Sequence, residues 1–339
     1  MKAIVLEDGA AAFRVRELPL PALRAGDIRI RVAAASFNPI DWQIRRAAAG
    51  GKPPSHPILG RDVSGVVDAI ANGVTGFAPG DEVYSYIGTL ASSGSYAEYV
   101  SVPAELVSPK PRSLSHDQAA AVPVAGITAK MALAGLRADS TRSLFLAGAS
   151  GGVGSFVLEL ARAMGLGRVV VSAGRSESRA YLVEHLGLPE AGIVDYRDPD
   201  FPAKAAARNG GPFDMALDLV GGKMLSACCQ LVGMDGIAAS AVEAPREEDV
   251  EWLFQRNASF HAVGANAYML TDDRTAWSRY AAMLREFGRM YDSGAMRPPR
   301  VQSAGPLEAR TVERAHELLE RNAVVGKLVM SCEAACATT

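Results

Sequence analysis

From Ser143 to Gly264 the sequence alternates short apolar runs with amphipathic stretches, and no other feature limits the fold so strongly. The runs are SLFLAG, RVVVSA, FDMALDLVG, GIAASAV and SFHAVG, and between the first of them stand VGSFVLELARAMG and SRAYLVEHLG. Strand and helix in strict alternation call for right-handed crossovers and a parallel sheet. In the first amphipathic stretch Val153, Phe156, Val157, Leu160, Ala161 and Met164 recur at three- and four-residue steps, which predicts one stripe against the sheet. Gly165 and Gly167 are expected to end that helix.

The segment before it reads differently. From Met1 to about Pro111, short β-like runs (KAIVLE, DIRIRVAAASF, SGVVDAIA, DEVYSYIG, SYAEYVSVP) are broken by Gly and Pro, which predicts a compact all-β unit. After Gly264 come two helix-like stretches, TAWSRYAAMLREFGRMYDSG and LEARTVERAHELLERN, then the strand-like GKLVM. These are read as the chain returning to the first unit. The expected division is therefore 1–118 with 268–339 in one domain and 119–267 in the other.

Composition removes several function classes. The formal net charge is −2, both signs are interspersed, and no run of five like charges occurs, so neither nucleic acid nor an acidic membrane surface is an expected partner. The apolar stretch between Lys2 and Glu7–Asp8 is too short for a signal peptide, and Ala119 to Ala129 falls short of the ~20 residues that span a bilayer. Cys228 and Cys229 are adjacent, and Cys332 and Cys336 lie in the tail, so no disulfide framework is implied and a reducing cytosol is expected.

Where the first strand of the alternating region gives way to its helix stands Ala149-Ser150-Gly151-Gly152-Val153-Gly154. Glycines there let the backbone approach a pyrophosphate, whose charge the free N–H groups and the helix dipole would meet. A tight strand-to-helix turn with no ligand is the plainer reading. The following strand, Arg168 to Ala173, and the further strand–helix series favour dinucleotide binding.

The resemblance runs nearly end to end. Asn38-Pro39-Ile40-Asp41-Trp42, Ile58 to Val67 (ILGRDVSGVV), Pro79-Gly80-Asp81-Glu82-Val83, Gly94 to Tyr99 (GSYAEY), Val122 to Ala129 (VPVAGITA), Asp218-Leu219-Val220-Gly221-Gly222 and Gly326-Lys327-Leu328-Val329 appear in the order and spacing of the medium-chain dehydrogenase/reductases. The chain most resembles their zinc-independent, quinone oxidoreductase-like branch. That likeness implies an α/β fold: a Rossmann doubly wound parallel sheet, a GroES-like β-rich domain with the substrate site, and a nicotinamide in the cleft between them. It also implies a homodimer joined through the edge strand SFHAVG.

The zinc branch of the family carries Gly-His-Glu where Gly60-Arg61-Asp62 stands here, and a cysteine near Asn38. Zinc needs thiolate, imidazole or carboxylate ligands converging on one point. No cysteine precedes Cys228, the histidines are scattered, and Asp62 beside Arg61 reads as a structural ion-pair or hydrogen-bond partner, so no bound metal is expected. A ketone or alcohol dehydrogenase must stabilise an alkoxide; a quinone or α,β-unsaturated carbonyl yields a delocalised oxyanion that a few hydrogen-bond donors can hold. By family position Asn38 and Thr128 are implied as site residues, against plainer readings as a turn residue before Pro39 and a helix-packing hydroxyl. Trp42 could stack on a planar substrate or plug the β domain, Asp41 could hold its loop in shape, and Tyr84 and Tyr86 are named as donors by location alone.

The implied cofactor is NADPH. An acidic residue at the tip of the second strand would hold the ribose hydroxyls of NADH and repel a 2′-phosphate. Here the strand ends Val171-Ser172-Ala173 and continues Gly174-Arg175-Ser176-Glu177-Ser178-Arg179 with no carboxylate at the tip. Arg175 and Arg179 can meet a phosphate, and Tyr196 matches the family residue beside it. Alternatively both arginines are solvated, with Glu177 as partner. Val220 and Lys327 are carried over as cofactor-binding by family position. The leading function is an NADPH-dependent quinone or enone reductase; the alternatives are a biosynthetic ene-reductase acting on an acyl thioester or natural-product intermediate, and a non-catalytic NADPH-binding sensor or structural protein.

Overall fold

A computed structural model describes residues 1–7 and 12–332; Asp8 and Cys336 lie outside the described residues. The chain forms two units, one of Met1–Ile127 together with the chain from Asn266 onward, the other of Thr128–Ala265. The helix Pro123–Gly135 contains the point of division.

In the second unit the strands Leu144–Ala147, Val169–Ser172, Ile193–Val194, Phe213–Asp218, Val232–Ser240 and Ser259–Ala262 form one parallel sheet. Numbered along this unit they lie in the order 3-2-1-4-5-6. That order reverses between Leu144–Ala147 and Phe213–Asp218, and the crevice at such a reversal, at the carboxyl ends of the strands, is where open α/β sheets bind ligands. Phe145, Phe213, Ala216 and Leu225 pack with Cys228 and Cys229 in the core on one face. The two thiols are core hydrophobes: burial pushes Cys229 up to about 12 and Cys228 well above its usual range.

The helix Gly152–Ala163 presents Phe156, Val157, Leu160 and Ala161 to the interior, as its periodicity predicts. Met164, expected on the same stripe, is 42% exposed, because the helix has already ended and Gly165 turns the chain at φ +74°. A side chain past the last turn no longer follows the helical stripe.

The first unit centres on the strand Asp27–Ser36, which pairs antiparallel with Asp62–Ile70, Tyr99–Pro103 and Lys327–Ser331. Glu82–Tyr86 and Val107–Pro109 extend the sheet on one side, and Val301–Pro306 runs parallel to Lys327–Ser331 on the other. The returning chain thus enters the sheet of the first unit. This unit is β-rich but not all-β: an 11-residue helix, Pro39–Ala49, follows the central strand. Its apolar positions, Ile40, Trp42 and Ile44, are too few for a helical stripe, but its start was written in the sequence. Asn38 stands at the N-cap, Pro39 at the first helical position and Asp41 at the third.

Candidate functional site

In the second unit the residues of the glycine turn come together above the sheet. Gly148, directly after Leu144–Ala147, takes φ +81°, so the residue that turns the chain precedes Ala149. Ala149 is buried, whereas Ser150, Gly151, Gly152 and Val153 are half-buried at the start of the helix Gly152–Ala163. Gly154 sits where a Cβ would lie 2.3 Å from the Gly148 carbonyl oxygen and 2.6 Å from the Ala149 Cα. Only glycine permits that approach, and it brings the unpaired N–H groups of the first helical turn over the strand end. Across the strand-order reversal, Asp218 accepts from the Val220 and Gly221 N–H groups at 2.9 Å and from Ser240 Oγ at 2.8 Å. This holds the turn Leu219–Gly222 so that Val220 stands 53% exposed at its crest.

At the end of the second strand Arg175 is the N-cap residue of the short helix Ser176–Ala180. Its half-buried side chain has no recorded hydrogen bond or ion pair among the described residues. Arg179 pairs with Glu190, not with Glu177. Gly174 lies under Tyr196 and Arg197, whose side chains would meet its Cβ at 3.0 Å. Tyr196 is 45% exposed there. The next strand brings a carboxylate to this edge, Asp195, but Arg197 grips it through Nε at 3.0 Å and Nη2 at 2.6 Å and holds its carboxyl down to about 2. The pattern of the second strand alone could not show Arg197, which is a local partner to an acid two residues away.

In the first unit Asn38 is buried and both ends of its amide are engaged. Nδ2 donates to Asp62 Oδ2 at 2.8 Å, and Oδ1 accepts from Lys327 Nζ at 2.7 Å. Asp62 also accepts from Ser36 Oγ at 2.6 Å and from the Val124 N–H at 2.8 Å, and Lys327 Nζ reaches the Phe37 carbonyl at 3.1 Å and Asp62 at 3.5 Å. The ammonium of Lys327 is thus surrounded by acceptors of its own unit. Burial lowers its pKa against the pull of Asp62 and Asp41. Asp62, read from sequence as a partner of Arg61, pairs instead with Lys327. Asp41 caps the helix by accepting the Asn38 N–H at 2.8 Å. Burial pushes its carboxyl up to about 6, with Arg61 and the Asn38 N–H opposing.

Residues 24–112 match the family description "Alcohol dehydrogenase GroES-like domain", and residues 190–330 match "Zinc-binding dehydrogenase". The solved quinone oxidoreductase of Coxiella burnetii superposes with a TM-score of 0.80 at 26% identity, covering 98% of this chain and 99% of that one. The chain is a medium-chain dehydrogenase/reductase. A mycobacterial protein solved in complex with NADPH gives a TM-score of 0.81 at 26% identity over 98% of this chain and 99% of that one. A chloroplastic quinone oxidoreductase of Triphysaria versicolor is 32% identical over 200 residues, which cover 57% of this chain and 59% of the relative. The match therefore spans less than two thirds of that relative's length.

Other expected site residues of this dehydrogenase/reductase have definite places. Thr128 is buried in the helix Pro123–Gly135. Trp42 lies half-buried in the helix Pro39–Ala49 with its Nε1 buried and unpartnered. Tyr84 and Tyr86 are interior residues: the first donates to the Leu284 carbonyl at 2.5 Å, the second to Asn266 Oδ1. Among the described residues, no three His, Cys, Asp or Glu side chains converge as a metal ion would require, and no helix is long and apolar enough to cross a membrane. Sequence reasoning missed the linkage of Lys327 to Asn38, which are 289 residues apart.

Proposed function

We propose that the chain is an NADPH-dependent reductase that delivers hydride to a quinone or an α,β-unsaturated carbonyl without a metal, and that it works as a cytosolic homodimer. The observation that carries this reading is the crest of the parallel sheet, where the backbone cradle closed by Gly154 stands beside an unengaged Arg175. The cradle fits a pyrophosphate, with Gly151, Gly152 and Val153 offering N–H groups and the exposed Val220 bordering it. Arg175 and Tyr196 fit a 2′-phosphate, and Asp195, the nearby acid, is held by Arg197. Bound there, NADPH would supply a hydride and its two electrons. The metal-free reading is supported by the donor set at Asn38, Arg61 and Asp62: an amide, a guanidinium and a carboxylate already paired with Lys327 suit a cation poorly.

Arg175→Ala removes a charge-assisted contact of about 1.5–3 kcal/mol, so NADPH should bind roughly ten- to a hundred-fold more weakly, with NADH affinity little changed. Fluorescence titration with both cofactors measures this. Equal weakening of both would remove the 2′-phosphate assignment, and absence of NADPH oxidation with a panel of 1,4-quinones and alkenals, despite measurable binding, would remove the reductase reading.

A further inference from the structure

Within the first unit Asp41, His56, Arg61, Thr89 and Ser93 line a cavity of about 190 Å³. Its wall is set by Gly60, which takes φ +92° and whose Cβ would strike Ser95 Oγ at 2.4 Å and the Tyr96 ring at 2.5 Å. No other residue fits, so the peptide that carries Arg61 is fixed in place. Two features of the lining stand out chemically. Asp62, the acid beside Arg61 in sequence, is occupied by Lys327, Asn38, Ser36 and the Val124 N–H. The one hydrogen bond recorded for the guanidinium of Arg61 is a long one, 3.4 Å to Asn266 Oδ1, which also accepts the Tyr86 hydroxyl. Asp41, for its part, uses Oδ2 to cap the helix, while its Oδ1 is buried with no partner. A buried carboxyl oxygen without a donor calls either for its own proton or for a ligand that brings one.

We propose that this cavity is the carbonyl-oxygen subsite of the reductase, in which the Arg61 guanidinium takes the oxyanion of the substrate and the Asp41 carboxyl gives it a proton. The proposal rests on the reductase reading above. When hydride from a reduced nicotinamide adds to the β-carbon of an enone, the displaced π pair ends on the carbonyl oxygen as an enolate. Arg61 stabilises that charge, as a metal would in an alcohol dehydrogenase. The Asp41 O–H bond then breaks, its electron pair stays on the carboxylate, and the proton joins the enolate oxygen. The enol relaxes to the ketone in water, and the carboxylate recovers a proton from solvent, so one hydride and one proton have been added. Arg61 and Lys327 favour the ionised form of Asp41, whereas burial, Asp62 and the neighbouring Tyr96 ring restrain it, and His56 shares the cavity. The carboxyl, raised by burial to about 6, suits an acid that works near neutrality.

The first test uses 4-nitrophenol, whose phenolate is seen by its visible absorbance, with protein free of nicotinamide. Bound probe should ionise about one pH unit below its value in water, a tenfold preference for the phenolate. Arg61→Gln should abolish that shift, and Arg61→Lys should restore part of it. A probe that binds without the shift, or a shift that survives Arg61→Gln, overturns the oxyanion assignment. The second test is the pH profile of enone reduction. In the wild type kcat should fall as pH rises through about 6, because Asp41 loses the proton it donates. Asp41→Asn keeps an acceptor for the Asn38 N–H, and it should lower kcat ten- to a hundred-fold and remove that limb without changing NADPH affinity. A limb retained in Asp41→Asn overturns the role of the carboxyl; should that variant not fold, the nitrophenol titration still decides the subsite. Phenolate held through Arg61 with no turnover of any acceptor would refute the reductase reading and the Asp41 step together. Turnover with no phenolate shift would refute the subsite alone.

Discussion

Asn38 joins a buried cation to a buried anion. Its amide bridges Lys327 and Asp62, and all three residues are at most 5% exposed. A direct contact of 3.5 Å between the two charges is too long to satisfy either alone, so the amide supplies the short bonds that the pair lacks. Replacing Asn38 by Ala would leave an ammonium and a carboxylate each short of a partner inside the unit. Charge-assisted hydrogen bonds contribute about 1.5–3 kcal/mol each, so Asn38→Ala should cost on the order of 3 kcal/mol in urea unfolding. A loss of activity with wild-type stability would instead make Asn38 a direct contact of the substrate. The residue itself was legible as important, because it sits in a recognisable motif. Its partners were not, since hydrogen bonds between residues 24 and 289 positions away leave no periodic trace in the chain.

At the scale of elements, the alternating region gave itself away because strand and helix have different apolar periods, and a sequence in which they alternate has few ways to fold. The helix Pro39–Ala49 was hidden inside a β-rich segment for the converse reason: an 11-residue helix with few apolar positions has almost no period to read, and only its capping residues mark it. The glycine turn lies between these cases. Its motif was visible, but the division of labour within it was not, since Gly148 carries the left-handed conformation and Gly154 the close approach. This predicts different outcomes for two similar substitutions. In Gly154→Ala the new methyl would meet backbone atoms at 2.3 and 2.6 Å, which cannot swing aside. Overpacking of this kind costs typically about 1–3 kcal/mol, and here it would also lift the helix N-terminus from the strand end and weaken NADPH binding. In Gly151→Ala the nearest atom is 3.4 Å away and φ is −79°, so the fold should tolerate it. Thermal melts of the two proteins separate these expectations; equal melting temperatures would mean that Gly154 does not set the packing of helix on strand.

For the whole molecule, the parallel sheet ends at Ser259–Ala262, which pairs with Val232–Ser240 on one side only. An open edge of a parallel sheet offers a row of unpaired N–H and C=O groups, and proteins usually cover, shorten or pair such an edge. Around this one lie apolar side chains that nothing in the chain covers: Phe254 is 86% exposed, Met234 70% and Val250 51%. They share one corner of the unit, because the Asp235 N–H donates to the Arg256 carbonyl at 3.0 Å and Asn257 Nδ2 to Asp235 Oδ1 at 2.6 Å, tying the strand of Met234 to the end of the helix Glu247–Phe254. An edge strand flanked by apolar groups can meet its own copy about a two-fold axis, since the same patch then serves both protomers. The proposed homodimer should therefore sediment as a single species of twice the chain mass at micromolar concentration. Phe254→Glu with Met234→Glu would place like charges in an apolar contact, and should raise the dimer Kd by at least about a hundredfold, the effect of one strong interface residue. The doubly substituted protein should still melt cooperatively, because neither side chain belongs to the core. A wild-type chain that sediments only as a monomer, or a double variant that stays dimeric, would place the self-association surface elsewhere or remove it.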